Sequence, residues 1–204
     1  MGPLTGGPLL VPLSCPRCGG GLEGGPGARV FLCPSCAIAT FEADPAQVYP
    51  LRYVAAAPGL GQADLFAPFW RVAGDFAWRT GDRQKERTYG NLAPLGPLLF
   101  PAFWSPKAAY YDDLTLRYAR RPELLTLGPG KDPILDGMRA PRALGELARL
   151  AWLAYLDRSA DITGTEGTFE VKELVYVAVP FFSRGDHYED GILGCSVPRS
   201  FFSV

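Results

Sequence analysis

The chain has 204 residues, 48% of them apolar and 20% charged, with 20 basic against 21 acidic side chains and a single histidine. That length holds one large domain or a small module beside a medium one, and the apolar share is enough for a sizeable core. A net charge of −1 excludes a global attraction to nucleic acid or to an anionic membrane, and no stretch approaches the roughly 18 apolar residues of a spanning helix. The 24 glycines and 20 prolines are spread along the chain and imply many turns and short strands.

Residues 1–12 are rich in glycine and proline, with a short strand expected over Leu9–Leu13. The first basic residue is Arg17, so no charged segment precedes that apolar run as a secretory signal requires. Met1-Gly2 is followed by Pro3, with Gly6 where a myristoylation signal has Ser or Thr. The expectation is a soluble, cytoplasmic protein with no membrane span.

Cys15-Pro16-Arg17-Cys18 comes next, then fourteen residues, then Cys33-Pro34-Ser35-Cys36. Two cysteines separated by two residues turn both sulfurs to one side of a tight loop, and a second such loop completes a tetrahedron with Zn–S distances of about 2.3 Å. The spacing is a zinc pattern, with a loop slightly shorter than the usual range of roughly 15–20 residues. Pro16 and Pro34 pre-shape the two turns. Gly19 follows the first pair, where a positive φ is cheap, and Ala37 takes that place in the second. The stretch resembles the zinc-ribbon family, whose knuckles typically read Cys-Pro-x-Cys-Gly; the resemblance covers residues 13–41 and departs at Ala37. It implies one structural Zn2+ per chain and says nothing of an activity.

Three other readings compete for these cysteines. Disulfides need an oxidising compartment, which nothing else in the sequence supports. A rubredoxin-like iron site shares the knuckles but separates its pairs by a longer, aromatic-rich stretch. A thioredoxin-like pair is single and sits in a βαβ setting. Zinc on Cys15, Cys18, Cys33 and Cys36 is the reading carried forward. Four thiolates around a divalent ion leave a formal −2, which Arg17, Arg29 and backbone N–H groups can offset; both arginines can equally be ordinary solvated surface.

Between the knuckles, Gly19 to Gly27 is a flexible loop, and Arg29–Leu32 is a strand delivering Cys33. Ala37–Glu42 is expected to be the last ribbon strand, stopped by Asp44-Pro45, and Val48–Ala56 another strand. Ala57–Gly61 has linker character and places a domain boundary around 57–64, with the zinc ribbon over 1–45 and a strand and linker over 46–64. Residues 65–204 then form an α+β domain.

Leu65–Trp78 is a strand pair or one long bent strand. Pro68, Pro101 and Pro180 each stand beside aromatics after an apolar run, which expects strand ends, edges or bulges. Those aromatics either pack a β-rich core or form a docking surface, and the core reading is favoured. A first helix starts at Ser105 as N-cap with Pro106 at N1 and runs to about Arg120, with Tyr111, Leu114 and Tyr118 on one face. A second, Arg142–Asp157, has only a narrow polar stripe of Arg142, Glu146 and Arg149, and is expected to be buried on several sides. Glu166–Val179 has strand character, and Asp190-Gly191 marks a turn. The architecture expected is α+β: a small zinc ribbon, then a mainly antiparallel sheet with two inserted helices.

Chemistry beyond the metal is sparse. His187 and Cys195 form a conceivable nucleophilic pair, although a lone cysteine in apolar sequence is more often a small buried hydrophobe. Asp186, Glu189 and Asp190 lack the calcium-loop pattern. Phosphate loops, dinucleotide fingerprints and hydrolase elbows are absent from the sequence. Two locally basic segments, Arg79–Arg87 and Arg117–Arg121, are interrupted by acids or short, and the ribbon has almost no basic residues. The function expected is a non-enzymatic zinc-binding protein, a protein–protein interaction or scaffold component. The alternative is a nucleic-acid-associated ribbon protein, and third an enzyme using Cys195 and His187. The apolar tail Ser200–Val204 suits docking to a partner.

Overall fold

The computed structural model describes residues 13–105 and 109–202, with only the backbone of 109–112. Pro106 at the expected helix start, the run up to Pro12, and Ser203-Val204 of the tail lie outside the described residues, as do the side chains of Tyr111 and Asp112. The architecture is mixed α and β, with a curled, mostly antiparallel sheet and three helices among the described residues.

The frame is one strand pair. β4 (Leu65–Thr80) and β7 (Thr165–Arg184) run antiparallel from Leu65↔Phe181 to Thr80↔Thr165, with a bulge at Ala73/Gly74. The expected bent strand is therefore one sixteen-residue element; most of the other strands are short, as the glycine and proline content implied, and β7 is the longest at twenty residues. Pro101 ends the edge strand β5 (Leu98–Pro101), as expected, while Pro68 and Pro180 lie inside their strands. Pro68 stands where β5 stops pairing with β4, and Pro180 where one neighbour of β7 gives way to the next, so the missing N–H falls at a gap in the flanking ladder.

The sheet runs β1-β2-β3-β7-β4-β5, where β1 is Val30–Cys33, β2 Ile38–Phe41 and β3 Asp44–Val54. β3 pairs antiparallel with β2 and parallel with β7 at Leu51↔Tyr176 to Tyr53↔Ala178. One strand thus belongs both to the cysteine-bearing hairpin and to the main sheet. β6 (Leu127–Gly128) adds to β3, while β8 (His187–Asp190) adds to β7 and β9 (Ser196–Pro198) to β8. The linker-like stretch is tied down at both ends: Ala57 N–H donates to the Gly191 carbonyl (2.7 Å) and Asp64 N–H to that of Phe181 (3.1 Å).

Both faces of the central strands are covered, which explains the uninterrupted apolar run of β7. Trp70, Tyr176 and Ala178 bury on one side, with Val30, Phe41 and Leu144; Phe69, Val177 and Phe181 bury on the other, with Leu114, Tyr118 and Phe201. Trp70 has no exposed surface, meets Tyr49 and Tyr176 edge-on at 4.9 Å each, and donates its Nε1–H to the Arg139 carbonyl at 2.9 Å. These aromatics are core, as the favoured reading expected; Trp104 is the exposed member of the set. The tail docks on its own chain, with Phe201 fully buried against Phe103 and Phe202 against Phe181.

Three helices replace the expected two. α1 (Arg83–Gly90) has no apolar stripe and is set by its cap: the Asp82 carboxylate accepts from the N–H groups of Gln84 (2.8 Å) and Lys85 (3.3 Å). α2 (Ala109–Ala119) buries Leu114 and Tyr118 on one face. α3 (Leu144–Asp157) is buried along one broad flank and not all round, since Leu150 is 47% exposed and Ala154 faces solvent. It lies on the sheet with one side only, and the sheet itself is the core. Among the described residues, no helix is long and apolar enough to cross a membrane.

Candidate metal centre

The first knuckle is closed by its own backbone. Cys15 N–H donates to the Gly20 carbonyl at 2.7 Å, and Gly19 N–H returns to that of Cys15 at 2.8 Å, with Gly19 at φ +72. The second grows from the β1–β2 hairpin, where Cys33 pairs with Ile38 and the turn between them carries Cys36. Ala37 stands at φ +49, in the left-handed region that costs an L-residue roughly 1–2 kcal/mol. It is held there in part by Leu51 N–H, which donates to its carbonyl at 2.9 Å and so ties the knuckle to β3.

Replacing Ala37 by glycine is expected to stabilise the protein by roughly 0.5–1 kcal/mol, the relieved strain exceeding the added freedom of the unfolded chain. Denaturant midpoints at unchanged slope would measure it. A loss of stability would show that packing of the Ala37 methyl outweighs the strain.

These two turns bring all four sulfurs within 4.8 Å of one another. Cys15 Sγ is 4.0 Å from Cys36 Sγ, and Cys18 Sγ is 3.7 Å from Cys33 Sγ. Four sulfurs about 2.3 Å from a common centre stand about 3.8 Å apart along the edges of a tetrahedron, so the observed pairs match those edges. They do not match the ~2.05 Å of a disulfide, and all five cysteines are free thiols. Cys15 and Cys33 are buried with Ile38 against Leu22 and Val48, while Cys18 is exposed. Arg17 N–H points at Cys15 Sγ (3.4 Å).

Electrostatics favours a cation at the centre. Burial opposes ionisation of Cys15, but the backbone N–H groups of Cys18 and Arg17 and the neighbouring thiols overcome it and bring the thiol down to about 7. Cys36 is pushed up to about 12, chiefly by its hydrogen bond with Cys18, and burial raises Cys33. The first thiolate to form discourages the rest. A divalent ion lifts that repulsion and keeps all four deprotonated. The cluster is chemically fit to hold one metal ion through Cys15, Cys18, Cys33 and Cys36.

Against models of known protein families, curated proteins and solved structures, the chain has no match.

The geometry of the chain therefore carries the reading alone. Arg29, a candidate counter-charge, is engaged elsewhere: its Nε donates to Glu42 at 2.7 Å and its guanidinium lies 5.2 Å from the centre of the Phe41 ring. Backbone N–H groups do that work instead.

Cys195 and His187 are not brought together. Asp190 N–H donates to the Cys195 carbonyl, so Cys195 lies opposite Asp190. His187, opposite Pro198, is three ladder steps along, about 10 Å by the rise of a strand. His187 Nδ1 lies 2.9 Å from Asp186, and the Cys195 sulfur 3.6 Å from an Arg117 nitrogen. Burial, helped by the Asp190 charge, raises the Cys195 thiol despite that arginine. Four cations of the locally basic segments are engaged too. Arg79 pairs with Glu166, Arg117 with Asp113 and Arg121 with Glu123, while Lys85 donates to the Thr163 carbonyl.

What sequence reasoning missed is the support of the ribbon by a distant segment. Gly25 N–H donates to the Asp136 carboxylate (2.7 Å), and Arg29 and Val30 both donate to the Gly137 carbonyl (2.7 and 2.9 Å). Asp136 is 111 positions from Gly25 and follows Gly-Pro-Gly-Lys-Asp-Pro, whose only signal is a turn.

Proposed function

We propose that this chain is a non-enzymatic zinc-binding protein of zinc-ribbon type, with one structural Zn2+ held by Cys15, Cys18, Cys33 and Cys36. The observation that carries the reading is the near-tetrahedral spacing of four free thiols on two Cys-Pro-x-Cys turns. Zinc suits an all-thiolate tetrahedron, and four protein ligands leave no coordination position for a substrate. Free thiols also suit the reducing cytoplasm, which is the location proposed. A ribbon with no open metal position serves as a structural and docking element, so a protein partner is the expected ligand of the whole chain, as an interaction or scaffold component.

Metal analysis of protein purified without added metal should give one zinc per chain, and X-ray absorption four sulfurs at about 2.3 Å. A mixed sulfur and oxygen shell, or iron in place of zinc, would overturn the reading. The partner part is tested separately: a protein should co-purify at fixed stoichiometry and be released when the metal is chelated.

A further inference from the structure

The segment from Pro129 to Arg139 is strapped between the ribbon and the main sheet. Beyond its bonds to Gly25, Arg29 and Val30, Leu135 N–H donates to the Phe66 carbonyl (3.0 Å), and the Tyr53 hydroxyl donates to that of Asp132 (2.6 Å). Between the strap, the ribbon and β3 and β7 lies a cleft of about 280 Å3. Val30, Leu32 and Leu51 give it apolar walls. Its charged lining is three carboxylates, Glu23, Asp132 and Asp136, against one ammonium, Lys131.

Two polar groups in this cleft have hydrogen-bonding capacity that no described residue uses. Asp136 is half-buried, and beyond the Gly25 N–H its carboxylate forms no ion pair among the described residues. Tyr176 is 1% exposed and lines the cleft, yet its hydroxyl hydrogen-bonds to no described residue. That hydroxyl stands against the strap, 2.0 Å from where a Cβ on Gly137 would sit, so only glycine fits there. The hydroxyls fully enclosed without a partner are those of Tyr118 and Thr165; that of Tyr176 instead lines the cleft, where it is available to a ligand.

We propose that this cleft binds a small organic cation, an ammonium or guanidinium on an apolar body, with the charge between Asp136 and the Tyr176 hydroxyl and the hydrocarbon against Leu51 and Val30. The excess of carboxylates disfavours an anion, and a half-buried carboxylate without a counter-charge disfavours a neutral ligand. A metal ion fits poorly. Among the described residues, the four thiols are the one group of three or more metal-ligating side chains close enough to share an ion. The volume lies just below the roughly 300–1,000 Å3 of drug-sized sites, which limits the ligand to a single ring or short chain. The phenols feel the same negative field: burial, reinforced by Asp132 and Glu23, pushes Tyr53 up to about 12, and burial with Asp136 raises Tyr176.

The test is a calorimetric and NMR titration of the full chain with 2-phenylethylammonium, set against 2-phenylethanol and 3-phenylpropionate. The ammonium should bind saturably, shifting signals of Tyr53, Tyr176, Leu51 and Gly137, and the other two should not. Asp136→Asn keeps an oxygen for the Gly25 N–H and removes the charge, and should weaken binding about tenfold or more. Tyr176→Phe removes one unpartnered oxygen, so it should leave the melting temperature unchanged or raised while weakening binding several-fold. If the cleft is only imperfect packing under the strap, the ammonium will not bind at millimolar concentration, or will bind no better than the alcohol. Either result overturns the proposal, as does Tyr176→Phe binding the ammonium as tightly as the unaltered chain. The metal plays no part in this readout, so a chain holding iron could still pass it and a zinc protein could still fail.

Discussion

Replacing Cys33 by serine, or stripping the metal with a chelator, is expected to unfold the knuckles while leaving the β4–β7 pair intact. Apparent binding energies of structural zinc sites are about 10–16 kcal/mol in small peptides. Almost nothing else holds residues 13–22 and 33–37: their apolar cluster is Cys15, Cys33 and Ile38 with Leu22, Cys36 and Val48 at its edge. Val30, Ala39 and Phe41, by contrast, bury into the same core as Trp70 and Tyr176. Opening should therefore spread through the knuckles and stall where β2 meets β3. Hydrogen exchange would show it as lost protection of the Cys15 and Leu22 amides, with those of Val175 to Val179 still protected. Limited proteolysis should cut first in the glycine-rich loop after Leu22. The melting temperature should fall with the metal and return on adding Zn2+. Metal-free protein with unchanged exchange at Cys15 would remove the ground for calling the site structural. The same protons link the site to pH: all four thiols must be deprotonated to bind, so the metal should be retained at neutral pH and released progressively as pH falls.

The knuckles were legible because their information is local: Cys-Pro-x-Cys is four residues long, and a turn of that length decides where both sulfurs point. The β7 run from Val175 to Phe182 was legible for a similar reason, since a strand covered on both faces must be apolar at every position. α1 was not. One residue, Tyr89, is buried along it, so no stripe marked it, and its signal was the cap at Asp82. α3 misled in the opposite direction, because Leu150 lies on its exposed flank and sequence periodicity cannot tell an apolar face that is covered from one that is not. The parallel pairing of β3 with β7 is a contact between Leu51 and Tyr176, and no turn or spacing encodes it. The strap is of the same kind. Asp136 gave no sign of reaching Gly25, and the cleft exists only because that distant contact forms. The part of the candidate chemistry that local spacing carried is the metal cluster, and the part that tertiary pairing builds is the cleft.

Asp190→Ala should destabilise the protein more than truncation of any exposed carboxylate, by about 3–6 kcal/mol. Its side chain has no exposed surface and accepts three backbone N–H groups, from Ile192 (2.9 Å) and Leu193 (2.8 Å) on Oδ1 and from Cys195 (2.6 Å) on Oδ2. Each donor left unmet in a buried loop costs about 1–3 kcal/mol, and the net stability of a domain is only about 5–15 kcal/mol. The sequence marks Asp190-Gly191 as a turn and sets the acid among Asp186, Glu189 and Asp190; burial separates it from the other two, which are not fully enclosed. Asp190→Asn tells the two oxygens apart. Its carbonyl can still serve Ile192 and Leu193, but its amide then faces the Cys195 N–H donor to donor, so it should fall between the native chain and alanine. Because that N–H belongs to Cys195, the cysteine reports on the loop: its half-buried thiol, raised in pKa and slow to react in the native chain, should label faster in both variants, most in alanine. Chemical denaturation gives the energies and thiol labelling gives the place. An alanine variant as stable as the native chain, with Cys195 still slow, would mean that water or another acceptor had taken over all three N–H groups, and the loop would owe its shape to Ile192 and the aromatic tail instead.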